Sequence, residues 1–572
     1  MQRRARKTQA HISPPIQHHF AGMDHEKPLS RLNRKSLGVN NRIWLILSLF
    51  FLLVLFTRYV TPHERPSPHR TMDFSNLKPK NYLNATGDEP SPFAFCPVYG
   101  EGDELAAKYG PVTLSKTRHH LGSGARVQRL IHKALAGQPV VISIIGGSVS
   151  ACHGAGDDPL SPSCYPSRFF HWWNSVFPHP ASELTNGAMR KSNSAYFGYC
   201  NAHHVPENTD LVIIELDADD EPNDDFLATF ELLVRSLLLR PDAPAIILLG
   251  HFSPQVHETH GFAGPEHWHN MVAQFYDVPH VSIKPIVYSD YITDPTGTTR
   301  RYYVDPVLAS PGGHEVLADT LIAYLQSQIC SAWNAIMGHS TDVLPLLASG
   351  SNFKQPTDAR GLFGGIGQRK GAASGSEGTE EGDEAGVGKV RILDADSNPV
   401  ILTQLRVPPT RLTTLPNSGR AYEEIHPFCV SANDLINPLP PSLFYGSGWH
   451  AYHPSTGSNS LESTGHYWYS TLPMSKIRIP VQVGAGDIGV YYLRENRQDV
   501  GGGLGSQIEC WVDDNYGGAV EFGNGADVGE PTPTLQVIDH FVTRGSHYVE
   551  CQLLGEEGRG VPAFKILGVF TT

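Results

Sequence analysis

Residues 139–154 read PVVISIIGGSVSACHG, a β-branched apolar run that stops abruptly at two glycines and a serine. Six apolar residues among the seven at 139–145, broken only by Ser143, predict a strand buried on both faces, the situation of a strand inside a parallel sheet. The stretch just before it, ARVQRLIHKALA at 125–136, spaces its apolar residues as one helix face and ends at Gly137. Further strand-like runs follow at 211–216 and 245–249, with helical patterns at 226–239, 267–275 and 313–328. Strand and helix in alternation predict an α/β domain, a parallel sheet covered on both faces. Gly146-Gly147-Ser148 then falls at the carboxyl end of a strand, where such folds hold their ligands.

Downstream the pattern changes. Residues 349–388 are dominated by Gly, Ser and Glu and predict a flexible linker within a connecting segment 336–394. From 395 to 572, short alternating runs (KIRIPVQV, IGVYYL, SQIECWV, HYVECQLL, FKILGVF) separated by Gly, Asn and Asp predict an antiparallel sandwich or jelly roll.

Upstream lies an uncharged apolar run, IWLILSLFFLLVLFT at 43–57, which Tyr59 and Val60 extend past Arg58. Residues 43–60 are therefore expected to form one transmembrane helix, though a short one. Residues 1–42 carry nine Lys and Arg against Asp24 and Glu26, a charge of +7, which leaves −20 of the net −13 to the remainder. The positive-inside rule then predicts a cytosolic basic tail at 1–42 and a lumenal body, with 61–110 as a Pro-rich stem. A cleaved signal peptide is the competing reading, weakened by the long leader and the lack of a small-residue cleavage site. A short span suits the Golgi or endoplasmic reticulum. Asn84-Ala85-Thr86 is a glycosylation acceptor on the lumenal side, and all eight cysteines lie beyond the span, where disulfides are permitted. Cys510 and Cys551 are the expected pair within the last domain. No CxxC zinc spacing occurs, and neither a metal nor another cofactor is expected. The acidic body lacks a basic stripe, which excludes nucleic acid as a partner; protein partners are not indicated.

IIGGSVSACHG resembles the first block of SGNH (GDSL-like) esterases, in the form seen in eukaryotic membrane-anchored members. Asn186-Gly187-Ala188 resembles the second block, and the strand and loop LVIIELDADD is similar to the course toward the third. Asp305-Pro306-Val307-Leu308-Ala309-Ser310-Pro311-Gly312-Gly313-His314 resembles the D-x-x-H stretch before the last helix. The resemblance spans an SGNH-like domain at 111–335 and implies a three-layer flavodoxin-like sheet. It implies Ser148 as nucleophile, a histidine as its base and Asp305 as the orienting carboxylate. Ser148, Gly187 and the residue at 219 would line the oxyanion hole.

Two positions depart from that pattern. The family asparagine is Asp219, whose carboxylate would repel an oxyanion unless protonated, and the family histidine is Leu308, which accepts no proton. His314, the family's second histidine, is the first substitute to consider, against a plain packing role; His153, His251, His203 and His204 follow. The acidic residues Glu215, Asp217, Asp219, Asp220, Glu221, Asp224 and Asp225 lack calcium-loop spacing and are read as a solvated loop. Trp449, Tyr452, Tyr467, Trp468 and Tyr469 offer either sugar stacking or sandwich core. The leading expectation is an esterase of glycans or cell-wall polysaccharide. An O-acetyltransferase of the same fold and an inactive glycan-binding or scaffolding protein are the rivals.

Overall fold

The computed structural model describes residues 77–84, 90–338, 407–414, 422–433, 448–452 and 465–572, except 157, 485 and 557, with short pieces at 35–52 and 391–401. Met1–Asp73 and Phe74–Thr572 are separate compact units. In the first, residues 45–52 are helical with exposed Leu, Ile and Phe side chains. Residues 53–60 of the expected span, most of the basic tail and most of the linker lie outside the described residues. Among those described, no helix is long and apolar enough to cross a membrane.

The second unit opens on a six-stranded sheet made of β1 (Arg118–His120), β2 (Val141–Gly146), β3 (Glu183–Asn186), β4 (Leu211–Glu215), β5 (Ala245–Gly250) and β6 (His280–Ser282). Their order is β1-β6-β5-β4-β2-β3. Strands β2 to β6 run parallel and β1 closes one edge antiparallel. The five parallel strands thus follow the flavodoxin-like order.

The strand period of two, with a core on each face, explains why the runs are apolar apart from Ser143 and Glu215. Ile142, Ile144, Ile213 and Ile247 face one core, packed against helices Ala125–Leu135, Tyr165–Val176 and Pro311–Ile336. Their neighbours Ile145, Val212, Ile214, Ile246 and Leu248 face the other, against Ser194–Cys200, Asp224–Leu238 and Pro265–Tyr276. This second core continues into the β-rich domain through Cys429, Tyr491, Leu493, Leu567 and Phe570.

Among the described residues that domain is built mainly on two sheets. One contains Phe428–Ser431, His450–Tyr452, Tyr467–Ser470, Ile488–Asn496, Thr532–Asp539 and Phe564–Thr571; the other contains Lys476–Val483, Gln507–Val512, Val520–Gly523 and Gly545–Leu553. Ile477, Ile479, Val481, Val490, Ile508, Val549, Ile566 and Val569 fill the space between them.

All eight cysteines are paired: Cys96–Cys330, Cys152–Cys164, Cys200–Cys429 and Cys510–Cys551. Cys510 and Cys551 face each other across neighbouring strands, and Cys200–Cys429 ties the two domains.

Two expectations need correction. The end of the proposed stem belongs to the folded domain, because Phe93 is buried in its core, Cys96 is bonded to Cys330 and Glu104–Tyr109 is a helix. The acidic loop is only partly solvated. Glu215, Asp217 and Asp220 are buried, whereas Glu221, Asp224 and Asp225 are exposed.

Candidate functional site

Strand β2 delivers the chain to the serine turn, and the turn is so tight that two glycines are obligatory. A Cβ on Gly146 would lie 2.2 Å from Ser150 Oγ, and one on Gly147 would lie 1.9 Å from Asp219 Oδ2. Behind the turn, Ser150 Oγ donates to Glu215 Oε2 at 2.8 Å and meets the Tyr165 hydroxyl at 2.8 Å. Burial, with Asp219 close by, pushes the Glu215 carboxyl up to about 8, so it is protonated at neutral pH.

Ser148 is buried and has three hydrogen bonds that define the site. Its N–H donates to Asp219 Oδ2 at 2.9 Å and its hydroxyl donates to Asp219 Oδ1 at 3.0 Å. The hydroxyl oxygen accepts from the Lys191 N–H at 2.9 Å. Neither partner of the hydroxyl is an imidazole. Burial raises the Asp219 carboxyl to about 6 although the two bonds from Ser148 pull it down. At neutral pH it is an anion gripping the N–H that an oxyanion would need.

The expected second donor, Gly187, spends its N–H on Ile144 O at 3.0 Å, extending the β2–β3 ladder. The N–H beside the serine comes instead from Lys191, which sequence reasoning missed. Lys191 has φ +55, in the left-handed region that favours glycine. Its loop is held from the β-rich domain: Lys191 Nζ pairs with Glu530 and donates to Pro531 O at 3.3 Å, and Tyr491 donates to Asn193 Oδ1 at 3.3 Å.

The other expected members are engaged elsewhere. Asp305 is exposed and its Oδ1 accepts from the N–H groups of Val307 and Leu308 at 2.8 and 2.6 Å, closing a turn. Leu308 is buried, near the Cβ position of Gly154 in the loop after the serine. His314 is fully buried, with Nδ1 accepting from the Tyr165 N–H at 3.3 Å. Burial, with His251 and Arg168 adding, lowers its pKa to about 3, so the ring is neutral. His251 is buried with Nε2 on Val307 O at 3.2 Å, and burial lowers it to about 4. His203 Nε2 meets Cys429 O and His204 Nε2 meets the Tyr196 hydroxyl, each at 2.8 Å. His153 is half-buried in the serine loop and its N–H donates to Ser148 O.

One histidine that the sequence did not single out organises the acidic loop. His269 Nδ1 lies 2.6 Å from Asp217 Oδ1 and Nε2 lies 2.9 Å from Asp220 Oδ2. Burial alone would lower its pKa, but the bonds to both aspartates overcome that and raise it to about 9. A buried imidazolium therefore pins the loop that presents Asp219.

In the β-rich domain, Trp449 and Trp468 belong to the sandwich core, while Tyr452 and Tyr467 stack with ring centroids 4.5 Å apart. Asn84 is exposed.

No protein-family model matches the chain, and no curated protein does. Among solved structures it is similar to a two-domain esterase active on acetylated mannans, with 17% identity, a TM-score of 0.51, and 80% of this chain and 98% of that one covered. The same esterase co-crystallised with mannopentaose matches at 17% identity and a TM-score of 0.50, covering 80% and 97%. The likeness establishes the fold, a parallel-sheet α/β domain joined to a β-rich domain.

Proposed function

We propose that this chain is an SGNH-type esterase homologue whose ligands are ester-bearing polysaccharides, and that it recognises them without serine–histidine hydrolysis. The observation that carries this reading is the Ser148 hydroxyl, bonded to Asp219 and to the Lys191 N–H rather than to an imidazole. Serine without a base is a weak nucleophile, and a carboxylate in place of an amide withdraws a donor from the acyl oxygen. The glycan class is supported by the likeness to the mannan esterase across both domains.

The full chain in detergent, wild type beside Ser148→Ala, separates the readings. Binding of acetylated mannan, no fluorophosphonate labelling and equal, background acetate release in both proteins is the expected result. Serine-dependent acetate release identifies an esterase instead, and acetylation of an added sugar acceptor identifies a transferase.

A second reading has its own observation, the 3.0 Å bond from Ser148 Oγ to a carboxylate raised to about 6. Asp219 is then the proton acceptor of a slow hydrolase, and Asp219→Asn abolishes turnover. Under the first reading that variant loses nothing.

We further infer a single-pass type II protein of the Golgi or endoplasmic reticulum with the body lumenal. Four disulfides in the body fit an oxidising compartment, and the basic residues that precede the apolar run at 43–60 fit the orientation. Protease protection in sealed microsomes and a mass shift lost in Asn84→Gln test it. Digestion of the body in intact vesicles overturns it.

A further inference from the structure

We infer that His119, Glu266 and His280 form a binding site for one zinc ion. Strand β1 supplies His119, β6 supplies His280, and the first turn of helix Pro265–Tyr276 supplies Glu266. One ligand atom from each lies within 4.8 Å of the other two.

Three details point to a metal rather than to chance proximity. Glu266 Oε1 is buried without a hydrogen-bond partner, with His119 Nδ1 at 3.5 Å. A buried carboxylate oxygen with no donor is costly, and a cation between it and the imidazole removes that cost. His280 Nδ1 lies 3.0 Å from Asn270 Oδ1, an acceptor, so the proton sits on Nδ1 and the Nε2 lone pair is available. A ligating histidine usually donates its other N–H to an outer acceptor that fixes the tautomer, and Asn270 Oδ1 takes that place here. Lys284 Nζ donates to the other oxygen, Glu266 Oε2, at 2.6 Å and to Phe262 O at 2.6 Å, which orients the carboxylate and leaves Oε1 turned away.

The donor set selects the ion. Two imidazoles and one carboxylate suit zinc, whereas calcium and magnesium demand oxygen ligands. Tetrahedral zinc holds its ligand atoms about 3.3 Å apart. The 3.5 Å between His119 and Glu266 is close to that spacing. Rotation of His119, whose side chain is a quarter exposed, closes the remainder and leaves a fourth position for water. The nearby ammonium of Lys284 opposes the ion and keeps the affinity moderate. Strands β5 and β4 separate this edge from β2 and Ser148. The ion's role is therefore to fasten the three-residue strand β1 to β6 and to the helix.

The test uses the full chain, stripped with EDTA and titrated with zinc chloride by calorimetry, in wild type, His119→Ala and His119→Gln. Because the chain has 28 histidines, the difference between proteins is the readout. Wild type should bind one equivalent more than either variant, give a tetrahedral cobalt spectrum that both variants lack, and gain about 5 °C in Tm at saturating zinc. In EDTA the three proteins should melt together. Equal stoichiometry in all three, or no rise in the Tm of wild type with zinc, overturns the site. Should His119→Ala melt early in EDTA, the near-isosteric His119→Gln decides.

Discussion

The two halves of the serine site are built to different standards. At the Ser148 turn the serine and its supports are held in place: the N–H and hydroxyl on Asp219, the hydroxyl oxygen on Lys191, Ser150 on Glu215, and the acidic loop on a buried His269. At the 305–314 stretch, Asp305 serves its own turn, Leu308 is packing and His314 caps the start of helix Tyr165–Val176. The first half preserves the frame of a nucleophile, and the second half supplies no base. On the proposed reading, two side chains separate this site from a hydrolytic one while the scaffold that displays them stays intact, because turn, loop and helix are held by bonds that do not involve the reaction.

The comparison breaks most visibly if the second half can be repaired. Leu308→His with Asp219→Asn should raise acetate release from acetylated mannan on the order of 10⁴-fold, a base and an oxyanion donor each being worth at least about 10²-fold. An unchanged rate would mean that the two halves are not in register for catalysis.

His269→Gln strikes the support of the first half. It leaves Asp217 and Asp220 buried without their cation and should cost about 3 kcal/mol in urea unfolding. The pH dependence follows from the raised folded pKa. His269 contributes fully below its unfolded value near pH 6.5, and that contribution is lost as pH rises through about 9. Wild type should lose stability across that window and the variant should not.

His314→Ala sharpens the assignment of the second half to structure. It should cost about 2 kcal/mol by leaving the Tyr165 N–H unpaired beside a cavity. Residual acetate release, with its pH profile, should not move; a parallel loss of rate would return His314 to the chemistry. Asp305→Ala should cost about 1 kcal/mol in the same assay, the worth of an exposed turn cap. Glu530→Ala removes one exposed partner of Lys191 and should change Tm by less than the equivalent of about 0.5 kcal/mol.

The layered sheet was legible because a buried parallel strand is apolar on both faces, and 139–145, 211–216 and 245–249 are so apart from Ser143 and Glu215. The strands Arg118–His120, Glu183–Asn186 and His280–Ser282 escaped notice because three or four residues carry no period, and pairing with longer neighbours makes them strands. Helix Tyr165–Val176 (YPSRFFHWWNSV) was missed as well. The positions of Ser148, Asp219, Asp305, Leu308 and His314 were readable from order and spacing. The donor role of Lys191 was not, because a lysine gives no sign that its backbone will adopt a glycine-like conformation. Nor could a run of carboxylates show that His269, some fifty residues on, would bury two of them.

Taken alone, the sequence determined the alternation of elements, the tight turn at Gly146-Gly147-Ser148 and the lack of a histidine at 308, since periodicity and residue type are local properties of the chain. Which N–H meets the hydroxyl, which imidazole meets which carboxylate, and how the β-rich domain braces the Lys191 loop were decided only by the tertiary structure. Those are contacts between residues far apart in sequence, and their geometry is set by packing two cores against each other.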